Sequence, residues 1–312
     1  MNRSLVVGGN GFLGSHLSDM LARKGHAVTS FDRYSSGSLQ HTEPSIRAFS
    51  GDFLNDRHLD EAVAGQDDVF HFLSTSTPAS AHQAPADDNR INVGQSLKLF
   101  EACVRHKVRR IHFASTGGAI YGNYDGGPLT ELSNPQPVSP YAISKLSIEN
   151  YLEYFRLNYG QEYRIYRISN PYGTRQNPQK TQGLIPIVLD SLRNGKAITR
   201  YGDGSMVRDY IYVDDLMSQI ACTLSGQGQH RLYNLGSGQG HSVNEILTSI
   251  GEATGQHFDI HERPIPNTFV RKVVLDMTRF EDDFGKQQYL SLSEGIRRLW
   301  AEMRPPTPGA NS

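Results

Sequence analysis

The chain is short of several things, and each shortage closes off a class of protein. It has two cysteines, Cys103 and Cys222, in 312 residues. They lie far apart in helix-like sequence and read as core thiols of a reducing compartment, which excludes a disulfide-stapled scaffold. No apolar run is long enough to cross a bilayer, and glycine interrupts the first apolar run at once, so the expected location is cytoplasmic. Neither sign of charge dominates. A formal net charge of -1 gives no ground for a nucleic-acid or anionic-membrane partner. The one basic cluster, residues 105–110, follows a helix-like stretch, where cations complement the helix dipole. There is no His-Glu-x-x-His and no Cys-x-x-Cys, so no metal site is expected. Internal repeats and heptad runs are absent too. What remains, at 37% hydrophobic and 20% charged, is an ordinary globular composition with material for one large or two modest cores.

What is present is an alternation of strand and helix patterns. Residues 4–7 form a short apolar run that ends in Gly8-Gly9-Asn10-Gly11-Phe12-Leu13-Gly14. Leu13, Leu17 and Leu21 then mark a helix. Strand, glycine turn and helix together make the setting of a dinucleotide site, because glycines let the backbone approach a pyrophosphate that the helix N-terminus stabilises. A second strand pattern, 27–31, ends in Asp32. A carboxylate there suits a ribose 2′-hydroxyl and repels a 2′-phosphate, which favours NAD over NADP. Further strands are expected at 46–49, 68–73 and 110–114, with a helix whose core face is Val93, Leu97, Phe100 and Val104. Strands and helices in this rhythm predict an α/β fold built on a doubly wound parallel Rossmann sheet. Ligands of such sheets bind beyond the strand C-termini, which brings the loop 74–77 and Ser115-Thr116 near the cofactor. His71 and His112 fall on strand patterns and read as structural.

Tyr141 and Lys145 stand four apart at the start of an apolar, helix-favouring run, so both side chains share one helix face. A phenol ionises near pH 10 when free, and a neighbouring ammonium favours its phenolate. The pair is therefore a candidate proton-transfer group for a sugar or alcohol hydroxyl.

Several motifs together resemble the extended short-chain dehydrogenase/reductases. They are residues 8–14, Asp32, Asp52, Asn92, Ser115-Thr116-Gly117-Gly118-Ala119-Ile120-Tyr121-Gly122, and Tyr141 with Lys145. In the second half, Arg167-Ile168-Ser169-Asn170-Pro171-Tyr172-Gly173-Thr174-Arg175-Gln176 and the segment 202–215 around Arg208-Asp209-Tyr210 are similar to further family signatures. The nearest branch resembles the nucleotide-sugar epimerases typified by UDP-glucose 4-epimerase. The resemblance implies a catalytic Tyr141, a Lys145 that holds the nicotinamide ribose, and a hydroxyl from Thr116 or Ser115 on the reacting sugar. It implies NAD contacts from Gly8, Gly11, Phe12, Leu13, Gly14, Asp32, Asp52, Phe53, Leu73, Ser74 and Asn92. Asn170 and Arg208 are implied on the diphosphate of a sugar nucleotide, with Arg263 favoured over Arg271 for a second phosphate contact. One departure leaves Ser115 and Thr116 both open: an extra residue separates Thr116 from Tyr121.

The expected organisation is a Rossmann domain over 1–168, with a return segment near 210–224. A smaller, interleaved sugar-nucleotide domain is expected over 169–312, with a polar lid loop at 177–183 and a disordered tail from about 304. A homodimer through the helices near 93–104 and 141–157 is implied by the family. The leading expectation is NAD-dependent C4 epimerisation of a nucleoside-diphosphate sugar, UDP-glucose and UDP-galactose or their N-acetyl forms. A 4-keto-sugar reductase remains an alternative, since it needs the same tyrosine. A 4,6-dehydratase is disfavoured because Gly117-Gly118 stand where such relatives carry Asp-Glu. A non-catalytic NAD-binding module is the third reading, opposed by the presence of Tyr141, Lys145 and Thr116.

Overall fold

A computed structural model describes residues 1–35, 40–123, 126–179, 183–226, 228–265 and 270–303. Residues 180–182 of the expected lid loop and the expected disordered tail lie outside the described residues. The first lobe is built on β1 (Arg3–Val7), β2 (Ala27–Asp32), β3 (Arg47–Ser50), β4 (Asp68–His71), β5 (Arg110–Thr116) and β6 (Glu162–Ile168). With β10 (Leu232–Leu235) they make a seven-stranded sheet in the order β10-β6-β5-β4-β1-β2-β3, parallel throughout. The predicted doubly wound sheet is therefore what forms.

Along β1, Leu5 and Val7 enter one core while Val6 enters the other, the period-two pattern of a strand covered on both faces. The Leu5 side is closed by α2 (Asp56–Val63), α5 (Gly94–Arg105) and α6 (Pro140–Tyr159), through Leu59, Phe100, Cys103, Ile148 and Leu152. The Val6 side is closed by α1 (Phe12–Arg23) and α8 (Val213–Thr223), through Leu17, Leu21, Leu216 and Ile220. The basic stretch that ends α5 is paired to acids: Arg105 and His106 reach Asp60, and Arg109 reaches Asp68. Between β4 and α5 lie two short helices, α3 (Pro78–Gln83) and α4 (Pro85–Asp88), and a π-helical turn, Asn89–Val93.

The second lobe starts at β7 (Asn170–Tyr172). Its four-stranded sheet adds β9 (Val207–Tyr212), β11 (Gly240–Ser242) and β13 (Lys272–Val273), while β8 (Ile198–Tyr201) and β12 (Ile260–Arg263) pair separately. Helices α7 (Leu184–Arg193), α9 (Val243–Thr254) and α11 (Leu292–Met303) pack in this lobe, while α10 (Thr278–Phe284) lies against β10 of the first sheet. The chain crosses back twice in close succession. α8 packs on α1, and β10 extends the first sheet beside β6, an edge strand that the sequence reading did not single out. β13 is shorter than the apolar run 273–275 in the sequence. Only Lys272–Val273 pairs with β9, and Leu275 makes an isolated bridge to Leu129. β1 has β2 on one side and β4 on the other, so strand order reverses there. The crevice beyond their C-terminal ends is the binding position that this topology offers.

Candidate active site

At the end of β1 the backbone must turn sharply. Gly8 has φ +84°, and a Cβ on Gly14 would sit 2.1 Å from the Gly8 carbonyl oxygen. Any side chain at Gly14 would push the loop off the start of α1. That helix begins without a side-chain cap and without an acid in its first turn, so its N-terminal N–H groups face the crevice unopposed. Asp32 closes the loop from β2. Its Oδ2 accepts from the Asn10 backbone N–H (3.0 Å) and its Oδ1 from that of Arg33 (2.8 Å). These residues fit a dinucleotide: a glycine cradle, an open helix N-terminus and a carboxylate at the end of the second strand. Phe53 is buried beneath the same edge, whereas Asp52 is exposed and caps its own turn through the Leu54 N–H (3.0 Å).

Beyond β4, the connection through Leu73 and Ser74 reaches Thr75. The Thr75 backbone N–H and hydroxyl both donate to Asn92 Oδ1, at 3.0 and 2.9 Å. The π-helical turn brings Asn92 to face this loop, since one extra residue per turn shifts the side-chain register. Its amide then donates to Asp88 Oδ1 (2.9 Å) and Ser76 Oγ (2.9 Å), and Ser76 itself bonds Asp88. Asp88 Oδ2 accepts from Ser144 Oγ (2.6 Å) on α6. The sequence reading found Asn92 but missed Asp88 and Ser144. Only an acid four residues before Asn92 signalled them.

α6 starts well: Ser139 caps it through the Ala142 N–H (3.3 Å), with Pro140 in its first turn. Tyr141 and Lys145 lie one turn apart, as expected, with the ammonium 5.8 Å from the Tyr141 ring centroid. Lys145 donates to the Ala114 carbonyl (2.8 Å) and stands over Phe113. Burial pulls Lys145 down to about 8, while Asp88 and Glu149 favour its charged form. The expectation that Lys145 lowers Tyr141 is not met in the protein alone. Burial, with Asp88 adding to it, pushes Tyr141 up to about 12.

The two open hydroxyls separate cleanly. Ser115 is committed inward and donates to Glu149, whose carboxylate pairs with Arg167 at 2.7 Å. Among the described residues the Thr116 hydroxyl bonds to no protein group, so it is the one available to a ligand. His71 and His112 are buried beside Ser96 (2.8 Å) and Tyr166 (2.9 Å). Burial takes them down to about 3 and about 4, so both stay neutral. No cluster of His, Cys, Asp or Glu able to hold a metal occurs among the described residues.

From the second lobe, Asn170 donates to the Asp209 carbonyl (3.2 Å) and flanks Gly118, whose added Cβ would lie 3.5 Å from its amide. Arg208 has no carboxylate partner among the described residues. Its guanidinium donates to the carbonyls of Val207 (2.8 Å), Val270 (2.5 Å) and Arg271 (3.4 Å), and burial lowers its affinity for its proton. Asp209 faces Ser237 (2.7 Å), and Asp214 faces Arg298 (3.1 Å), so neither neutralises Arg208. Arg271 sits directly behind Arg208, its carbonyl also accepting from the Val207 N–H (3.0 Å). Arg263 ends β12, exposed and paired to β8.

The NAD dependent epimerase/dehydratase family matches residues 4–236. A putative UDP-glucose 4-epimerase of Methanocaldococcus jannaschii is 32% identical, over 95% of this chain and 96% of its own. The crystal structure of Thermotoga maritima UDP-glucose 4-epimerase with UDP-glucose superimposes with a TM-score of 0.90 at 33% identity, covering 96% of this chain and 97% of that one. Thermus thermophilus UDP-glucose 4-epimerase, in complex with NAD, gives 0.90 at 30% identity, covering 98% and 100%. A dTDP-4-dehydro-6-deoxyglucose reductase and dTDP-glucose 4,6-dehydratases are similar at 26% to 29% identity.

The loop geometry makes cofactor choice a direct test of Asp32. Asp32→Ala is expected to weaken NAD binding by a factor on the order of 10 to 100, the worth of one charge-assisted hydrogen bond. It should also narrow the preference over NADP. Titration of each dinucleotide into cofactor-stripped protein measures both, and tighter NADP than NAD binding by the unaltered protein contradicts the assignment.

Proposed function

Because this chain belongs to the NAD dependent epimerase/dehydratase family, we propose that it interconverts the C4 epimers of a nucleoside-diphosphate sugar, UDP-glucose with UDP-galactose or their N-acetyl forms. The glycine loop, Asp32 and Lys145 would hold NAD, with Asn92 fixing the Thr75–Ser76 stretch beside it, and the bound cofactor would supply reversible two-electron oxidation at C4. Tyr141 takes the proton of the 4-hydroxyl and later returns it. Since burial holds the Tyr141 phenol up near 12, its ionisation depends on positive charge inside the site, and Lys145 is this chain's own contribution. Thr116 bonds the same sugar oxygen with its free hydroxyl and fixes it against Tyr141. Arg208, cationic and unmatched, neutralises the diphosphate together with Asn170, and this anchor lets the keto sugar turn without leaving. The expected interleaved division at about residue 168 fits this assignment: cofactor in the first lobe, sugar nucleotide in the second. Two cysteines without a disulfide fit a cytoplasmic setting.

One observation carries epimerase over dehydratase. Elimination of the 6-hydroxyl needs an added acid and base, and the position after Thr116 cannot take one. A Cβ on Gly117 would come within 2.7 Å of the Leu275 side chain and 2.9 Å of the Arg167 carbonyl oxygen. A substrate deuterated at C4 is expected to retain its label in the epimeric product. Tyr141→Phe should cut kcat by a factor on the order of 10² to 10⁴ and leave NAD bound. Label lost to solvent, or a 4-keto-6-deoxy product, contradicts the proposal, and stoichiometric consumption of reduced cofactor makes the protein a reductase.

The same reading includes a homodimer. Ile143, Tyr151, Tyr154 and Leu157 share one face of α6 and stay 40% to 67% exposed, with Tyr154 in edge contact with Tyr151 and Tyr159. An apolar face of this kind on a helix packed beside α5 calls for a partner surface, here a second copy. Tyr154→Asp is expected to shift the molecule from dimer to monomer in sedimentation velocity. A monomeric unaltered protein contradicts it.

A further inference from the structure

Lys145 is a buried cation with no carboxylate in contact. Its ammonium donates to the Ala114 carbonyl and lies 4.7 Å from the Phe113 ring centroid. Burying an ammonium is costly unless negative charge faces it. Two buried carboxylates do so. Glu149, one turn further along α6, is already matched to Arg167 and to the Ser115 hydroxyl. Asp88, 4% exposed, has no cationic partner among the described residues. It accepts only from neutral donors: Ser144 Oγ, Asn92 Nδ2 and the Ser76 hydroxyl. An unmatched buried cation and an unmatched buried anion therefore occupy facing elements, α6 and α4. They are joined through Ser144, which stands between Tyr141 and Lys145 in the helix.

We propose that Asp88 is the counter-charge of Lys145, and that it positions and tunes the Tyr141–Lys145 pair without touching the reacting atoms. Its effect on rate rests on the reading of that pair given above; the charge pairing does not. The same carboxylate disfavours the Tyr141 phenolate. It adds to burial in holding Tyr141 near 12, and it opposes the burial that pulls Lys145 to about 8. Removing one negative charge therefore moves both groups the same way, to lower values.

The other groups around the pair keep their charge when Asp88 is neutralised. His71 on β4 is neutral, and Glu149 remains paired to Arg167 on β6. The Cys103 thiol on α5 is pushed up by burial and stays protonated. On β5 and β6, neutral His112 bonds Tyr166, with Arg110 and Arg164 beyond them. The charges on the outer surface of the packed elements are exposed: His82 on α3, the Asp87–Arg90 pair (3.3 Å) and the Lys98–Glu101 pair (3.0 Å).

The test compares three variants over pH, with kcat for a UDP-sugar as one readout. In Asp88→Asn both limbs of the profile are expected to slide to lower pH by on the order of one unit. Asp88→Glu, which keeps the charge, should restore them. Ser144→Ala, which keeps the carboxylate, should lower the rate with the limbs in place. Independently of turnover, the Lys145 ¹³Cε resonance, assigned by its loss in Lys145→Arg, should titrate at lower pH in Asp88→Asn, in NAD-loaded and cofactor-stripped protein alike. Limbs and resonance that stay put overturn the proposal. A shifted resonance in a protein that epimerises nothing upholds the counter-charge and overturns the epimerase reading instead. Should Asp88→Asn not fold, the unaltered protein decides, because the Asp88 ¹³Cγ resonance must respond as Lys145 titrates. An unresponsive one overturns the proposal.

Discussion

The active site hangs on one buried ion pair, Glu149 with Arg167, each about one-twentieth exposed. Through it α6 is tied to β6, and through the Ser115 hydroxyl it is tied to β5. Arg167 also donates to the Tyr121 hydroxyl (3.0 Å), and Tyr121 donates to Asn234 Oδ1 (2.7 Å) on β10. Asn234 in turn donates to the Leu129 carbonyl (2.7 Å), and its backbone N–H to Glu131 (2.8 Å). A buried pair of this kind is weak evidence for stability by itself, yet removing one partner strands the other charge at a cost of about 3–5 kcal/mol. Its use here is geometric. Lys145 and Tyr141 lie one and two turns before Glu149 on the same helix, so the pair fixes how far they stand above the strand ends.

Above that anchor, charge is distributed by burial. Lys145, Asp88 and Arg208 are withdrawn from water without a direct ionic partner, whereas Glu149, Arg167 and Asp19 have theirs. Charges left unmatched in a crevice are the ones that a ligand or a facing charge must complete. In the proposed reading Arg208, in the second lobe, meets the anion of the sugar nucleotide, and Asp88 is the longer-range counter-charge of Lys145 in the first.

Local patterns in the sequence carried the first lobe. The glycines at 8, 11 and 14, the carboxylate at 32 and the four-residue step from Tyr141 to Lys145 each express a constraint satisfied within a few residues, and the structure realises each. Choices set by distant partners were not legible. Whether Ser115 or Thr116 stays free depends on Glu149, 34 residues away from Ser115. The short pairing of 272–273 depends on β9, and the edge strand at 232–235 on β6. Asp88 looks like a solvated acid in a polar run, because nothing nearby in sequence shows that Ser144 will cover it. The elevated Tyr141 was missed for a similar reason: a sequence shows a neighbouring lysine but not the burial that outweighs it.

The most direct test of these assignments is a turnover measurement with no added cofactor. Freshly purified protein is mixed with UDP-galactose in one vessel and UDP-glucose in another, and both are followed by ion-pair chromatography. Convergence of the two mixtures on one epimer ratio, with no net change in reduced cofactor, is the expected result. A product other than the C4 epimer, or turnover that appears only when NADH is supplied and consumed, would contradict it.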